Sequence, residues 1–412
     1  MNTDNNNTVV ARREKLETEI KKGAGQISII NLVNHVVELA YVLGASDIHI
    51  DPEAKSIRVR LRIDGMLQDE ISIPKNIHPE VISRIKILAE LRTDEHQVAQ
   101  DGRFCMQLQS PIDIRVSIIP TYYGENAVLR LLARQHEKFT LGDLGFSPKN
   151  QQEILRAISH PHGMVLATGP TGSGKTTTLY SLIKLLNTKN TSIITIEDPI
   201  EYSIEGINQI GVNAKTGLTF ANGLRSMLRQ DPNIIMVGEI RDEETAGLAI
   251  NAALTGHLVL SSIHTSDAAT TLPRLIDLRI EPYLIASTVA IAIGQRLVRK
   301  ICIHCKKEVT IGEAEIKPLT DIIPANMFTT RTFWQGKGCQ ACNNTGYNGR
   351  VGINEVLVVD NALRLAIHKK ASATEIKDYM KQQHVANMIE DGFLKATQGI
   401  TTIEEILRTL HE

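Results

Sequence analysis

The N-terminal third of the chain contains two segments in which hydrophobic and polar residues alternate. In residues 57–63 apolar side chains occupy every second position, and Arg58, Arg60 and Arg62 stand between them. Residues 112–118 alternate in the same way. A period of two predicts two β-strands, each with one buried face.

Apolar residues at helical spacing precede and separate these two strands. Residues 32–40 carry one apolar face, and residues 81–91 carry another after Pro79, a residue suited to the first turn of a helix. Helices and strands in this order predict a small α/β domain over residues 26–135.

The middle third carries short, mostly apolar runs instead of alternation. These runs lie at residues 164–167, 193–196, 234–237 and 258–260. Such runs are typical of strands that are buried on both faces of a parallel sheet. We therefore predict a second α/β domain over residues 151–301.

The first of these runs leads into a G-x-x-x-x-G-K-T pattern, and a helical pattern follows it. The residues of the pattern are Gly169, Pro170, Thr171, Gly172, Ser173, Gly174, Lys175, Thr176 and Thr177. A glycine-rich turn lets backbone N–H groups surround phosphates, and the helix N-terminus adds partial positive charge. We predict a P-loop that binds ATP, with Lys175 on the β- and γ-phosphates and Thr176 on Mg²⁺. The alternative is a turn that binds nothing.

Two glutamates stand at the ends of later apolar runs, where ligands of parallel sheets bind. Glu239 occupies the Walker B position, and we predict that it orients or deprotonates the attacking water. Glu197 is expected to act through Mg²⁺ and water positioning. The alternative for either acid is a cap at a helix N-terminus.

Two histidines, His257 and His264, bracket the run that begins at residue 258. One of the pair is expected to contact phosphate, and His264 is our candidate; the alternative is a structural role. The arginine face of residues 57–63 has two interpretations as well. Its side chains are either solvated or reach the nucleotide site.

Four of the five cysteines form two Cys-x-x-Cys pairs, Cys302 with Cys305 and Cys339 with Cys342. Four thiolates make a closed tetrahedral zinc site, so we predict a structural Zn²⁺ in a subdomain over residues 302–345. The insert between the pairs is longer than the roughly 15–20 residues typical of such sites. Redox dithiols are the alternative.

The remaining segments carry less chemistry. Residues 1–25 are polar and predict a flexible tail or an exposed helix, and the turn-rich residues 136–150 predict a linker. Residues 346–412 predict a C-terminal helical region, with Thr401 or Thr402 as a helix cap.

Composition narrows the class of protein. Of 412 residues, 42% are hydrophobic and 22% are charged, as in globular proteins, and the formal net charge of −1 argues against nonspecific nucleic-acid binding. No apolar run approaches the roughly 18 residues of a membrane span, and no signal-peptide core is present. We expect a cytoplasmic protein that reaches a membrane only through partners.

Taken together, the motifs resemble the secretion ATPases that power type II secretion and type IV pilus assembly. The resemblance runs from about residue 45 to the end of the chain. The matching segments are residues 45–50, 60–65, 100–103, 169–177, 196–199, 238–242, 255–257, 262–268 and 345–353.

The resemblance implies a RecA-like P-loop ATPase domain, a smaller PAS-like domain before it and a homohexameric ring. It also implies docking on inner-membrane platform proteins of a secretion or pilus machine. Members that retract pili lack the four-cysteine insert, so the cysteines favour assembly or secretion. Arg103 lies in a matching segment, and we take Arg60, Arg62 and Arg103 as candidates that stabilise charge on the γ-phosphate.

One departure from the family bears on recruitment. Many members carry a further N-terminal domain that binds the membrane platform and sometimes a cyclic dinucleotide, and here only about 25 residues precede the match. We therefore expect a short form without that domain. The alternative functions are a nucleic-acid translocase or conjugation-type motor on the same core, and a nucleotide-regulated scaffold with little turnover.

Overall fold

A computed structural model describes residues 2–22, 25–132, 139–312, 323, 327–328 and 331–411. The chain divides into two compact units, residues 1–136 and 137–412. We call them the N-terminal unit and the C-terminal unit and describe each by itself.

The described part of the N-terminal unit combines three helices with a six-stranded sheet of order β3-β2-β1-β6-β5-β4, in which all neighbouring strands are antiparallel. The helices are α1 (Asn2–Lys21), α2 (Ile29–Val42) and α3 (His78–Leu88). The strands are β1 (Asp47–Pro52), β2 (Ser56–Ile63), β3 (Met66–Pro74), β4 (Gln100–Gln107), β5 (Pro111–Thr121) and β6 (Gly124–Leu132).

The alternation predicted for two of these strands is confirmed. On β2 the side chains of Ile57, Val59 and Leu61 are buried and belong to the core of the unit. Apolar residues of α2 and α3 join the same core. One face of the sheet is therefore packed, and the arginines of β2 stand on the other.

The polar segment at residues 1–25, for which a flexible tail or an exposed helix was expected, forms a helix that is partly buried. It contains helix α1, whose Leu16 is almost fully buried in the core of the N-terminal unit. Glu19 is also buried, and its carboxylate accepts a hydrogen bond from the Ser28 backbone N–H at the start of α2. Val9 and Ile20 also pack against this core, but so few apolar positions in a polar segment were too weak a signal to predict the packing from sequence.

The described part of the C-terminal unit contains a seven-stranded sheet of order β15-β12-β7-β11-β10-β8-β9 and a separate two-stranded sheet. Its strands are β7 (Gly163–Thr168), β8 (Ile193–Glu197), β9 (Asn208–Gly211), β10 (Ile234–Ile240), β11 (Leu258–Ile263), β12 (Val289–Ile301), β13 (Lys306–Thr310), β14 (Thr332–Gly336) and β15 (Tyr347–Val358). Its helices are α4 (Pro148–Ile158), α5 (Lys175–Leu186), α6 (Phe220–Met227), α7 (Glu243–Leu254), α8 (Ala268–Asp277), α9 (Pro282–Thr288), α10 (Asn361–His368), α11 (Ala373–Gln382), α12 (Met388–Thr397) and α13 (Ile403–His411).

The large sheet is parallel except for β15, and it is covered on both faces. On β7, Met164 and Leu166 belong to one apolar core, while Val165 and Ala167 belong to another that includes residues of α4 and α5. The prediction of an α/β domain with strands buried on both faces is confirmed. The carboxyl ends of β7, β10 and β11 lie at one edge.

The predicted linker at residues 136–150 lies outside the described residues only at 136–138. Its described part packs on the C-terminal unit, where Leu141, Leu144 and Phe146 are buried. Gly145 has φ +87°, and a Cβ there would lie 2.6 Å from the Gly352 carbonyl oxygen. Gly145 therefore serves a tight turn against β15.

The predicted helical region at residues 346–412 begins with a strand. β15 pairs with β12 from Ile291–Val358 to Ile301–Tyr347, so it completes the edge of the large sheet. The polar residues Asn354 and Glu355 interrupt its apolar pattern, although both are buried. Helices α10 to α13 then follow as expected.

Within the described part of the chain, no helix is both long enough and apolar enough to cross a membrane.

Candidate ATP site and cysteine cluster

The P-loop connects β7 to α5, and its glycines adopt conformations that other residues rarely take. Gly169, Gly172 and Gly174 have φ values of +143°, +79° and +90°. A Cβ at residue 169 would lie 2.3 Å from the carbonyl oxygen of Gln295, so only glycine fits there. The loop therefore has the backbone geometry of a phosphate cradle at a helix N-terminus.

Lys175 is buried, and its ammonium group lies within the loop. Its Nζ donates hydrogen bonds to the carbonyl oxygens of Gly169 and Pro170, at 2.8 and 2.9 Å. Burial lowers the pKa of Lys175 to about 8, and the charge of Glu239 opposes this shift. Thr176 is exposed at the first turn of α5, where a hydroxyl can meet Mg²⁺.

Glu239 lies near the carboxyl end of β10, and only 8% of it is exposed. Its Oε2 is 2.9 Å from Nε2 of His264 and 2.7 Å from Nε of Arg241. The structure thus brings together two residues that the sequence suggested separately. Arg241 was missed, and its signal was its place beside Glu239 in the Walker B segment.

The capping role proposed as an alternative for the strand-end acids belongs to a neighbouring residue. Asp242 precedes α7, and its carboxylate accepts a hydrogen bond from the Thr245 backbone N–H at 2.8 Å. The Glu239 carboxylate is directed instead at His264 and Arg241.

The two histidines lie at opposite ends of β11. His257 lies beside the start of β7, and its Nδ1 is hydrogen-bonded to the carbonyl oxygen of Ala252 at the end of α7. His264 follows the carboxyl end, next to the P-loop strand. Only His264 therefore stands at the edge where ligands bind.

Glu197 has contacts that the sequence did not predict. Its carboxylate accepts hydrogen bonds from the hydroxyls of Tyr180 and Thr195 and from the amide of Gln209, and it is almost fully buried. Burial raises the pKa of Glu197, and these hydrogen bonds oppose the shift. None of the hydrogen bonds described for this side chain involves the P-loop.

The three candidate arginines belong to the N-terminal unit. Arg60 Nε donates to Asp51 at 2.8 Å, and Arg62 Nη1 donates to the carbonyl oxygen of Gly65 at 2.9 Å. Arg103 is exposed on β4. Their role at the γ-phosphate stays a prediction.

The four paired cysteines meet, as the sequence predicted. All four Sγ atoms lie within 4.8 Å of one another. The pKa of Cys342 is lowered: burial raises it, but the backbone N–H groups of Cys339 and Gly346, at 3.2 and 3.3 Å from the sulfur, together with the thiols of Cys339 and Cys305, outweigh burial. Four sulfur donors at this spacing fit a tetrahedral Zn²⁺. Cys105 lies on β4 and takes no part.

A largely parallel sheet with a P-loop after β7 and a glutamate near the end of β10 defines a P-loop ATPase with a RecA-like core. The chain belongs to the family described as type II/IV secretion system protein, whose sequence model matches residues 22–408. The members it resembles are secretion and pilus ATPases, which hydrolyse ATP, and the predicted ATP hydrolase is confirmed at that level.

Two relatives illustrate the range of the family. The chain is 43% identical over 385 residues to the type II secretion system protein HxcR of Pseudomonas aeruginosa, covering 93% of this chain and 78% of HxcR. It is 45% identical over 390 residues to the type IV pilus assembly ATPase PilB of Thermus thermophilus, covering 94% of this chain and 43% of PilB.

Solved structures support the same fold. The pilus retraction motor PilT with bound ADP superposes with a TM-score of 0.61 at 26% identity, covering 91% of this chain and 95% of PilT. The Legionella pneumophila ATPase DotB superposes with a TM-score of 0.67 at 23% identity, covering 92% and 95%.

Proposed function

We propose that this protein is a cytoplasmic homohexameric ATPase that drives assembly of a pilus or pseudopilus. It docks at the inner membrane through platform proteins of a type IV pilus or type II secretion machine. Support comes from HxcR and PilB, which align with more than nine-tenths of the chain. The paired cysteines favour assembly or secretion over retraction.

The P-loop and the contact between Glu239 and His264 carry the proposed chemistry. Residues 169–177 hold the phosphates, with Lys175 on the β- and γ-phosphates and Thr176 on Mg²⁺. Glu239 accepts the proton of the attacking water, and His264 holds its carboxylate. The observation that carries this proposal is the Glu239–His264 contact at the carboxyl edge of the sheet that also bears the P-loop.

Two measurements test the proposal. Lys175→Ala should abolish ATP hydrolysis because the β- and γ-phosphates lose a charge-assisted contact. A pulldown from membranes should recover an inner-membrane protein of a pilus or secretion machine. Normal hydrolysis by the Lys175→Ala variant would refute the P-loop assignment.

The alternative to this function is a nucleic-acid motor on the same core. ATP hydrolysis stimulated by DNA, with a stimulation that falls steeply with salt, would favour it. The net charge of −1 gives no support to it.

We also propose that Cys302, Cys305, Cys339 and Cys342 hold one structural Zn²⁺ per chain. Cys339→Ser should release the metal and expose the 302–342 region to proteolysis, while ATP binding survives. Cys105→Ser, outside the cluster, is the matched control and should retain full metal content. Wild-type protein without zinc after purification under reducing conditions would refute the site.

A further inference from the structure

Gln295 is a buried polar residue that none of the sequence motifs singled out. Its relative exposure is 0%. On β12 it follows Gly294, which pairs with Thr168 at the end of β7. Because the P-loop begins at the next residue after Thr168, Gln295 lies against the loop from the neighbouring strand.

Both the backbone and the side chain of Gln295 approach glycines of the P-loop. Its carbonyl oxygen would lie 2.3 Å from a Cβ at residue 169. Its Nε2 would lie 3.1 Å from a Cβ at residue 174. Gln295 is thus packed against Gly169 and Gly174, at the two ends of the loop.

A second contact fixes the orientation of the Gln295 carboxamide. Its Oε1 accepts a hydrogen bond from Oγ1 of Thr178 at 2.8 Å, and Thr178 is itself fully buried in the first turn of α5. Because the oxygen faces Thr178, the nitrogen faces Gly174.

Two buried polar atoms at the loop have no hydrogen-bond partner among the residues that the structure describes. They are Nε2 of Gln295 and Oγ of Ser173. Buried polar groups in proteins are nearly always paired, so the unpaired Nε2 of Gln295 is suited to a different arrangement of the loop. The present arrangement has Lys175 bonded to the carbonyls of Gly169 and Pro170. Those carbonyls lose their donor when Lys175 turns to phosphate.

We propose that Gln295 is a positioning residue of the ATP site. Its carboxamide oxygen holds the start of α5 through Thr178, and its amino group donates to the P-loop backbone once Lys175 contacts phosphate. The inference rests on the proposed function, since it requires ATP in the P-loop. It adds a residue from β12, the strand that continues to Cys302.

The test compares Gln295→Met with Thr178→Val in the full-length protein. Gln295→Met keeps the side-chain length and removes both polar groups. We expect the Kd and KM for ATP to rise about five- to tenfold, the size expected for one or two hydrogen bonds, with kcat within about twofold. Thr178→Val should act in the same direction but less strongly. The double variant should fall short of the sum because both changes break one contact.

The melting temperature without ATP separates positioning from a merely structural role. Gln295→Met alone deprives the buried Thr178 hydroxyl of its acceptor, so the comparison uses the double variant, in which both partners are removed and the melting temperature should be unchanged or raised. A merely structural role would lower the melting temperature and would not raise KM selectively over kcat. Thr288→Val is the matched control: this buried threonine bonds to the Leu284 carbonyl at 2.7 Å beside the other end of β12. It should leave KM unchanged.

Wild-type KM and Kd in both Gln295→Met and Thr178→Val would overturn the inference. If Gln295→Met does not fold, Thr178→Val decides alone. Failure of the wild-type protein to bind ATP would instead overturn the proposed function, and that result needs no variant.

Discussion

At the scale of single residues, Lys175 is a charged group held out of water. Burial lowers its pKa to about 8 although the charge of Glu239 acts in the opposite direction. Triphosphate favours the protonated amine, so the pKa of Lys175 is higher in the complex than in the free protein. ATP binding above pH 8 must therefore take up a proton.

We predict that ATP affinity is greatest below pH 8 and falls as the pH rises above it. The fall should approach about tenfold per pH unit while the free amine is neutral and the bound amine is charged. Titration of ATP binding from pH 7 to pH 10 measures it. Lys175→Arg is the matched control, since arginine stays charged throughout, and its affinity should be flat with pH even if weaker. A flat wild-type profile would contradict the prediction.

The two strand-end glutamates have contacts that predict different roles. Glu239→Gln should still bind ATP and hydrolyse it about 10²–10⁴-fold more slowly, because a carboxamide cannot accept a proton from water. Glu197→Gln should be less impaired, since the described contacts of Glu197 are with Tyr180, Thr195 and Gln209. Single-turnover hydrolysis compares the two variants.

Asp242→Asn is the control for this pair of substitutions. It changes an acid to an amide in the same segment while keeping a residue that caps α7, so hydrolysis should stay near wild type. If Glu197→Gln proves slower than Glu239→Gln, the two roles must be exchanged.

Local patterns predicted the residues of the ATP site that lie next to each other in sequence. The P-loop and Glu239 follow from a strand and the residues at its end. His264 was the candidate of the two histidines, but its contact with Glu239 could not be predicted, because it depends on which end of β11 meets the P-loop. The partners of Glu197 were equally hidden, since Tyr180 and Gln209 reach it from α5 and β9.

At the scale of elements, the sequence predicted several strands with uniform patterns and missed others, including one with buried polar residues. β2 and β5 show one apolar face, and β7 and β10 show continuous apolar runs. β15 carries Asn354 and Glu355 inside the core, so its pattern resembles none of these. The Glu355 carboxylate is satisfied by elements distant in sequence, and Oδ1 of Asn354 has no hydrogen-bond partner among the described residues.

Glu355 links two helices to the edge of the large sheet. Its carboxylate accepts hydrogen bonds from the backbone N–H of Ala268 at the start of α8 and of Met388 at the start of α12. Burial raises the pKa of Glu355 to about 7, while these N–H groups lower it and Asp267 raises it. The folded protein therefore holds this proton more tightly than the unfolded chain.

We predict that Glu355 makes the folded state less stable as the pH rises from about 4.5 to 7. A raised folded-state pKa stabilises fully below the unfolded value, and that stability is lost as the pH passes the folded value. The loss is roughly 3 kcal/mol at most. Glu355→Gln should remove this component, so chemical denaturation of the variant should depend less on pH in that window.

Glu404→Gln provides the control, because Glu404 is an exposed carboxylate on α13. It should leave the pH dependence of unfolding as in the wild type. Parallel curves for wild type and Glu355→Gln across the window would contradict the prediction.

At the scale of the whole molecule, the order of the strands aligns charges that the sequence shows only separately. Register places Arg62, Asp47, Arg130, Arg115 and Arg103 in one row across the sheet of the N-terminal unit. Asp47 pairs with Arg130 at 2.9 Å and with Arg62 at 3.7 Å. Alternation predicted an arginine-lined face on β2, but strand order is needed to extend it across the sheet.

These arginines could neutralise the charge that develops on the γ-phosphate during hydrolysis, which Lys175 and Mg²⁺ do not fully compensate. An added arginine at the γ-phosphate is worth about 10³–10⁵ in rate in other P-loop enzymes. We propose that Arg60, Arg62 or Arg103 of the same chain supplies the missing charge.

We predict that Ala substitution of at least one of these three arginines lowers kcat far more than it weakens ATP binding. Lys175→Ala chains mixed with chains carrying that arginine change should then show no recovery of hydrolysis, because every chain still lacks half of its site. Each variant alone and the wild type mixed with Lys175→Ala are the controls for assembly. Recovery on mixing would show instead that the arginine acts on the ATP of a neighbouring subunit.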